Sequence, residues 1–394
     1  MPKLVLSGNS AQSYAVKLAR VQVVAAYPIT PQTSIVEKIA DFVSSGKLDA
    51  QYIKVESEHS ALQASLSAAG LGARVYTATS SQGILLMHEL LHWAAGARTP
   101  IIMGVANRGV AAPWTIETDH TDTIAQRDTG WIQYYAESNQ EVLDTVLQAF
   151  RIAEDPSVRL PAMINEDAFF LTHTVEPVDV PEQELVDRFL PPRPDIGVLK
   201  IGRRNRLGSF CGPELYMEFR HQVARAMEAA KGVARDTEAE YARLTGRDHG
   251  GALPTYRTED ADAVLITMGT ASTTARAVVD TMRADGRRVG FAKLRRFRPF
   301  PVDELRDLAA SVDRIGVVDR SFTFGAMGAA ATEVSAALYG SSHRPLVTDF
   351  VAGLGGRDLD PASVRSLFEV LLSASPPEVS WPGLKTGEEV TTHG

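Results

Sequence analysis

The 394 residues are enough chain for roughly two or three domains of about 150 residues each, so a single small module is excluded. At 44% hydrophobic and 22% charged, the composition is that of a soluble globular protein and excludes wholesale disorder or a fibrous repeat; no apolar run reaches the roughly 18 residues of a membrane helix. Forty Lys and Arg against 48 Asp and Glu leave a net charge of −8, which argues against nucleic acid as a partner, and the single cysteine, Cys211, excludes an internal disulfide, a four-cysteine iron–sulfur cluster and a cysteine-rich zinc site.

The N-terminus MPKLVLSGNSAQSYAV lacks a basic segment followed by a long apolar one, so the expected compartment is the cytoplasm. From there to residue 166, short β-branched runs alternate with helical stretches, the rhythm of an α/β domain with a parallel sheet. Strands are predicted at Val21–Ala26, Tyr52–Val55, Val75–Ala78, Ile101–Ala106 and Ala162–Ile164. Thr30 before Pro31, and Ser57 before Glu58, read as helix starts, each with a capping oxygen. Residues 167–260 break the pattern: spaced prolines predict an extended crossing segment, Pro213 to about Leu244 a long amphipathic helix that Gly232 weakens locally, and Thr245–Asp260 a linker. A second α/β unit is expected over 261–375, with strands at Ala263–Thr267, Val289–Lys293, Arg314–Val318 and Leu346–Thr348, and helices beginning near Thr273, Pro301, Gly328 and Pro361. Residues 376–394 read as an extended tail without regular structure, lying over a neighbour and anchored by Trp381.

Ligands of parallel sheets sit at the carboxyl ends of the strands, and the unusual polar residues of the first domain gather there. After the first strand comes Tyr27-Pro28-Ile29-Thr30-Pro31, after the second Glu56-Ser57-Glu58-His59, after the third Thr79-Ser80-Ser81-Gln82-Gly83, and after the fourth Asn107-Arg108-Gly109. One edge thus offers a hydroxyl, a carboxylate, an amide and a guanidinium. Three other features compete for attention. His88-Glu89-Leu90-Leu91-His92 has the spacing of a zinc-hydrolase helix, but its apolar flanks suit a helix packed on a sheet. Asp119, His120 and Asp122 could gather a metal, although a loop over a substrate or at an interface fits them better. GLGG at 353–356 reads as a turn, His173 as a structural histidine and Cys211 as an inert thiol.

Six stretches resemble the α subunit of the four-subunit 2-oxoacid:ferredoxin oxidoreductases of pyruvate synthase type. They are AAYPITPQTSIVEKIA, VESEHSALQASLSAAGLGARVYTATSSQGILLMHELL, ANRGVAAPWTIETDHTDTIAQRDTGWIQYYAESNQE, LPAMINEDAFFLTHTVEPVDVP, TEDADAVLITMGT and RFRPFPVDELRDLA. The resemblance spans nearly the whole chain. It implies a thiamine-diphosphate pyrimidine-binding domain over 1–166, followed by a transketolase C-terminal-like α/β domain. It also implies a reaction: oxidative decarboxylation of a 2-oxoacid to acyl-CoA and CO2, with coenzyme A as co-substrate.

The same resemblance assigns residues. Glu58 matches the family glutamate that shares a proton with N1′ of the thiamine pyrimidine, a task that needs a carboxylate. Arg108 matches the arginine that holds the substrate carboxylate, which a planar guanidinium can grip through two hydrogen bonds. Thr30 matches the substrate-contacting threonine, while Tyr27, Pro28, Gln82 and Asn107 are the remaining cofactor-side candidates. No metal ligand is expected in this chain. The GDG motif for magnesium and diphosphate does not occur in it, so those, and an iron–sulfur cluster, are implied for a β-type partner; γ-type and δ-type ferredoxin-like subunits complete the complex, and electrons pass to ferredoxin, or to NAD through an additional subunit. Pyruvate is the default substrate. DIGVLKIGRRNRLGSFCGPE and ETDHTD depart from the pyruvate-type pattern and make an arylglyoxylate such as phenylglyoxylate the alternative. A non-catalytic scaffold subunit is the remaining rival, opposed by the presence of Thr30, Glu58 and Arg108 together.

Overall fold

The computed structural model describes all residues except Met1, Ile201, Asn205 and 386–394. Its contacts divide the chain into two compact units: residues 1–252 with 295–301, and residues 253–294 with 302–394. Up to residue 252 the elements are β1 (Lys3–Ser7), α1 (Gly8–Leu18), β2 (Val23–Ala26), α2 (Thr33–Ser44), β3 (Gln51–Lys54), α3 (Glu58–Gly70), β4 (Val75–Thr79), α4 (Gln82–Leu86), α5 (His88–Gly96), β5 (Ile102–Asn107), α6 (Thr121–Ile124), β6 (Ile132–Tyr135), α7 (Asn139–Glu154), β7 (Ala162–Asp167), β8 (Val175–Asp179), α8 (Gln183–Phe189) and α9 (Pro213–Thr245). Then come β9 (Thr255–Tyr256), β10 (Ala263–Thr267), α10 (Ala271–Ala284), β11 (Val289–Lys293) and β12 (Arg296–Arg298). The chain ends with α11 (Val302–Ala309), β13 (Arg314–Asp319), α12 (Ala329–Leu338), β14 (Leu346–Val351), α13 (Pro361–Leu371) and β15 (Val379–Ser380).

The first unit holds a seven-stranded sheet in the order β12-β6-β7-β5-β4-β2-β3, parallel throughout except for β12, which runs antiparallel to β6. Its central strands β4, β5 and β7 are buried along their whole length, because helices cover both faces. One apolar cluster joins the sheet to α1, α2, α7 and α9; another joins it to α3 and α5. β1 and β8 form a separate antiparallel pair, from Lys3↔Asp179 to Ser7↔Val175.

In α9 the buried positions Val223, Ala226, Ala230, Ala234 and Tyr241 recur at helical spacing and pack on α7; Gly232 causes no break. Seven residues after the second unit's β11 return to the first unit, led by Arg295. Its buried guanidinium donates to Glu141 (2.7 Å), Glu238 (2.7 Å), Thr145 (3.0 Å) and Gln148 (3.0 Å), and its carbon centre lies 5.0 Å from the Tyr134 ring. The first compact unit therefore runs well beyond residue 166 and includes a segment from past residue 260.

The second unit has the strand order β15-β14-β13-β10-β11-β9. β10 and β11 span the residues predicted for them, and α13 starts at Pro361 behind the Asp360 cap, whose carboxylate accepts from Ser363 N–H. Chain order places the reversal of direction between β10 and its neighbour β13.

Several expectations differ from the structure. α2 starts at Thr33, not beside Pro31, and Thr30 caps nothing: Gln32 occupies the N-cap position, and its amide instead ties Ile29 N–H to the Ala78 carbonyl. The crossing segment contains β8 and α8, because β1 needs a partner strand and Val186 and Phe189 reach the core. The tail is not without regular structure. Residues 379–380 pair with the open edge of β14 as β15, and Trp381 packs on Phe322 of its own unit, ring centroids 4.9 Å apart. The remainder of the predicted tail, 386–394, lies outside the described residues.

Candidate active site

Four loops meet at the carboxyl ends of β2, β3, β4 and β5. Glu58 opens α3 behind the N-cap Ser57, whose hydroxyl accepts from Ser60 N–H. This places a carboxylate at the positive end of a helix dipole. Glu58 is only 8% exposed, yet among the described residues no group donates a hydrogen bond to its carboxylate. Against it lies the main chain of Gly83: a Cβ there would stand 2.8 Å from Glu58 Oε1 and would also press on Thr79 Oγ1. Thr79 Oγ1 is itself buried without a partner. The carboxylate therefore faces a cradle that only glycine leaves open.

Arg108, at the end of β5, crosses the same edge. Its Nη1 donates to the Thr30 carbonyl (2.6 Å) and its Nη2 to Gln82 Oε1 (3.1 Å), while Nε is buried without a partner. Burial lowers the affinity of this guanidinium for its proton, and nearby Asp122 opposes that effect. The Trp114 ring, 73% exposed, has its centroid 5.7 Å from the guanidinium carbon. Thr30, Gln82 and Arg108 are thus brought together, with the Thr30 carbonyl rather than its hydroxyl making the contact. Tyr27 and Pro28 are exposed on the same loop, and Gln82 Nε2 has no partner. Asn107 is fully buried and turns its amide away from the edge, donating to Asp122 Oδ1 (2.8 Å) and Thr123 Oγ1 (2.8 Å).

Residues 14–239 match the family model described as pyruvate flavodoxin/ferredoxin oxidoreductase, thiamine diphosphate-binding, and residues 261–364 match that of pyruvate:ferredoxin oxidoreductase core domain II. The chain belongs to the 2-oxoacid:ferredoxin oxidoreductases. Within this family it is an α subunit of pyruvate synthase type. It is 51% identical over 368 residues to the ketoisovalerate oxidoreductase subunit VorA of Pyrococcus abyssi, covering 93% of each chain. To the pyruvate synthase subunit PorA of Pyrococcus furiosus it is 46% identical over 387 residues, covering 97% of this chain and 98% of that one. In fold it is similar to the 2-oxoglutarate:ferredoxin oxidoreductase from Magnetococcus marinus solved with 2-oxoglutarate, coenzyme A and succinyl-CoA. The TM-score is 0.71 at 17% identity, over 94% of this chain and 65% of that one.

The rival motifs of this oxidoreductase subunit resolve differently. His88 and His92 lie on α5 with ring centroids 5.0 Å apart, and His88 Nδ1 is paired with Gln126 Oε1 at 2.6 Å. Among the described residues no group of three or more His, Cys, Asp or Glu side chains is placed to hold a metal ion. Asp119, His120 and Asp122 do not form an open covering loop. All three are buried, His120 Nε2 pairing with Asp167 Oδ1 at 2.7 Å and Asp122 holding main-chain N–H groups. His173 bonds Thr172 Oγ1 and stacks on Phe169, and GLGG at 353–356 is a turn with Gly353, Gly355 and Gly356 at positive φ. Cys211 is half-buried just before α9. No helix among the described residues is long and apolar enough to cross a membrane.

The sequence brings Thr79 and Gly83 to this edge but singles out neither as a site residue. Both sit in the TATSSQG stretch, but only the fold shows that the Gly83 Cα lies under the Glu58 carboxylate.

Proposed function

We propose that this subunit supplies the pyrimidine side of a thiamine diphosphate site and the carboxylate-binding arginine for an aliphatic 2-oxoacid, which the assembled enzyme oxidises to acyl-CoA and CO2. The observation that carries this reading is the buried Glu58 carboxylate, left without an internal donor and facing the Gly83 cradle. A sheltered carboxylate with no protein donor of its own is free to accept a ligand's N–H. A protonated ring nitrogen suits it, so the residues present fit the pyrimidine end of the cofactor. When bound, thiamine diphosphate supplies the electron sink that allows the bond between the carboxylate and the carbonyl carbon of the 2-oxoacid to break.

The chain's own residues then have defined tasks. Glu58 holds a proton at the pyrimidine edge. Gly83, lacking a Cβ, leaves room for the Glu58 carboxylate against its main chain, with Thr79 Oγ1 and Gln82 Nε2 as unpaired groups beside it. Arg108, already held by the Thr30 carbonyl and Gln82, offers Nε toward the substrate carboxylate. Tyr27 and Pro28 close the exposed side of the loop. Asn107 acts from beneath, through Asp122.

Magnesium, the diphosphate site and an iron–sulfur cluster belong to a β-type partner in this reading, with γ-type and δ-type ferredoxin-like subunits and ferredoxin, or NAD through a further subunit, beyond it; all act in the cytoplasm. Support for a small aliphatic substrate comes from relatives named for ketoisovalerate and pyruvate. The test is to assay the assembled enzyme with pyruvate, ketoisovalerate, 2-oxoglutarate and phenylglyoxylate, in wild type and in Glu58→Gln. Coenzyme A-dependent oxidation of pyruvate or ketoisovalerate is expected, with kcat reduced about 10³-fold or more in the variant while the subunits stay assembled. No oxidation of either aliphatic acid, or near-normal turnover by Glu58→Gln, sinks the reading.

A further inference from the structure

Among the described residues, Asp122 in the short α6 is the one fully buried carboxylate that accepts from both loops of the candidate site. Its Oδ2 accepts from Ser81 N–H (3.0 Å) and Arg108 N–H (3.1 Å); its Oδ1 accepts from Asn107 Nδ2 (2.8 Å) and its neighbour Thr123 N–H (2.8 Å). Four donors on two oxygens leave the carboxylate saturated, which is why it can be buried at all. The two bonds on Oδ2 join the loop after β4 to the loop after β5.

Ser81 shows what that joint holds. Its backbone sits at φ 48°, ψ −122°, a region that residues with a side chain rarely occupy, and such a conformation persists only when its surroundings enforce it. The Ser81 hydroxyl lies 2.6 Å from both the Gly109 carbonyl and Gln82 Oε1, and its one proton, given to Gly109, makes a second tie between the same two loops. Immediately after Ser81 come Gln82, whose Oε1 accepts from Arg108 Nη2, and Gly83, which lies under Glu58. A change of peptide direction at Ser81 would displace both.

We propose that Asp122 is a positioning residue for the oxoacid site: by binding the main chain of Ser81 and Arg108 on one oxygen, it sets the spacing between the Gln82–Gly83 turn and the Arg108 guanidinium. The proposal rests on the reading of Arg108 as the carboxylate-binding group. Asp122 itself touches neither substrate nor cofactor. Its effect is transmitted through Ser81 and Arg108.

The test uses the assembled enzyme. Asp122→Asn preserves shape but turns an acceptor oxygen into an N–H2 group facing N–H donors. KM for the oxoacid is expected to rise about tenfold in the assembled enzyme, whatever the accompanying change in kcat. A residue needed only for folding would lower the yield of assembled enzyme and leave its KM alone, so an unchanged KM overturns the proposal. Ser81→Gly supplies a residue that adopts the left-handed φ without enforcement but loses the hydroxyl tie, so in that background adding Asp122→Asn should leave KM within about threefold of Ser81→Gly alone. A double variant above that limit overturns the proposal, and it can be judged against Ser81→Gly even if Asp122→Asn alone fails to assemble. Arg108→Lys in the same assay reports on the underlying reading. A raised KM there beside an unchanged KM in Asp122→Asn removes the positioning role alone, whereas an unchanged KM in Arg108→Lys removes the reading of Arg108 too.

Discussion

The two units build similar parallel sheets and end their strands in polar residues, but they use those residues differently. At the carboxyl edge of the second unit, Asp319 takes the N–H groups of Ala330 (3.0 Å) and Ala331 (2.9 Å), and Asp349 takes that of Gly328 (2.6 Å). Those carboxylates satisfy the first turn of α12, which would otherwise leave donors unpaired. At the edge of the first unit, Glu58 sits at a helix start whose N–H groups are served by Ser57 instead. Among the described residues its carboxylate has no internal donor, and Thr79 Oγ1, Gln82 Nε2 and Arg108 Nε nearby are buried and unpaired. At the first edge the Ser57 hydroxyl does the capping of α3, and the Glu58 carboxylate is left over.

That contrast can be broken in three places. The largest effect is expected from Gly83→Ala, which fills the cradle over Glu58. It should lower kcat of the assembled enzyme about 10³-fold, or about 4 kcal/mol. Comparable turnover in wild type and variant would mean that the space above Glu58 is not used.

Next comes Glu166, at the end of β7, whose Oε1 accepts from Gln12 Nε2 (2.9 Å) and whose Oε2 is buried without a partner. Burial pushes this carboxyl up to about 8 from an ordinary 4.5, against the pull of Gln12 and with some help from Asp167. A raised carboxyl is protonated in the folded chain and ionised in the unfolded one between those values. The stability it contributes is therefore complete below pH 4.5 and is lost as pH rises through about 8. Glu166→Gln should flatten the stability profile over that window and exceed wild type by about 3 kcal/mol at pH 7. Thermal unfolding between pH 5 and 9 measures it, and an unchanged slope would show that Glu166 is not the group responsible.

The smallest effect belongs to the second unit. Asp319→Ala removes the acceptor for two α12 N–H groups and should lower stability by about 2 kcal/mol. KM for the oxoacid should stay as in wild type. A catalytic defect with intact stability would invert the contrast and place chemistry at the second edge.

Much of this was legible in the sequence. β10 and β11 could be bounded because short β-branched runs between turn signals report their own limits, and Glu58, Arg108, Thr30 and Gln82 converge because parallel topology sends every strand end to one edge. What stayed hidden depends on partners distant in sequence. β1 reads as a strand only when β8, some 170 residues later, is there to pair with it, and β6 is completed by β12 from beyond residue 295. The start of α2 was misplaced because local capping preference could not reveal that Gln32 is tied to Ala78. Gly83 carries no local sign of its task, since what it must avoid is a side chain 25 positions earlier.

The return of residues 295–301 has a genetic consequence. Because the first unit is written in two pieces around part of the second, no single cut of the coding sequence separates them. A fragment ending at Ala252 would lack Arg295, leaving Glu141 and Glu238 facing each other's charge in a dry interior, and would expose the edge of β6 to any passing strand. The two units must therefore be inherited, expressed and exchanged together: fusion or splitting of this subunit in evolution or in the laboratory should succeed only where both pieces of the first unit stay on the same side of the break.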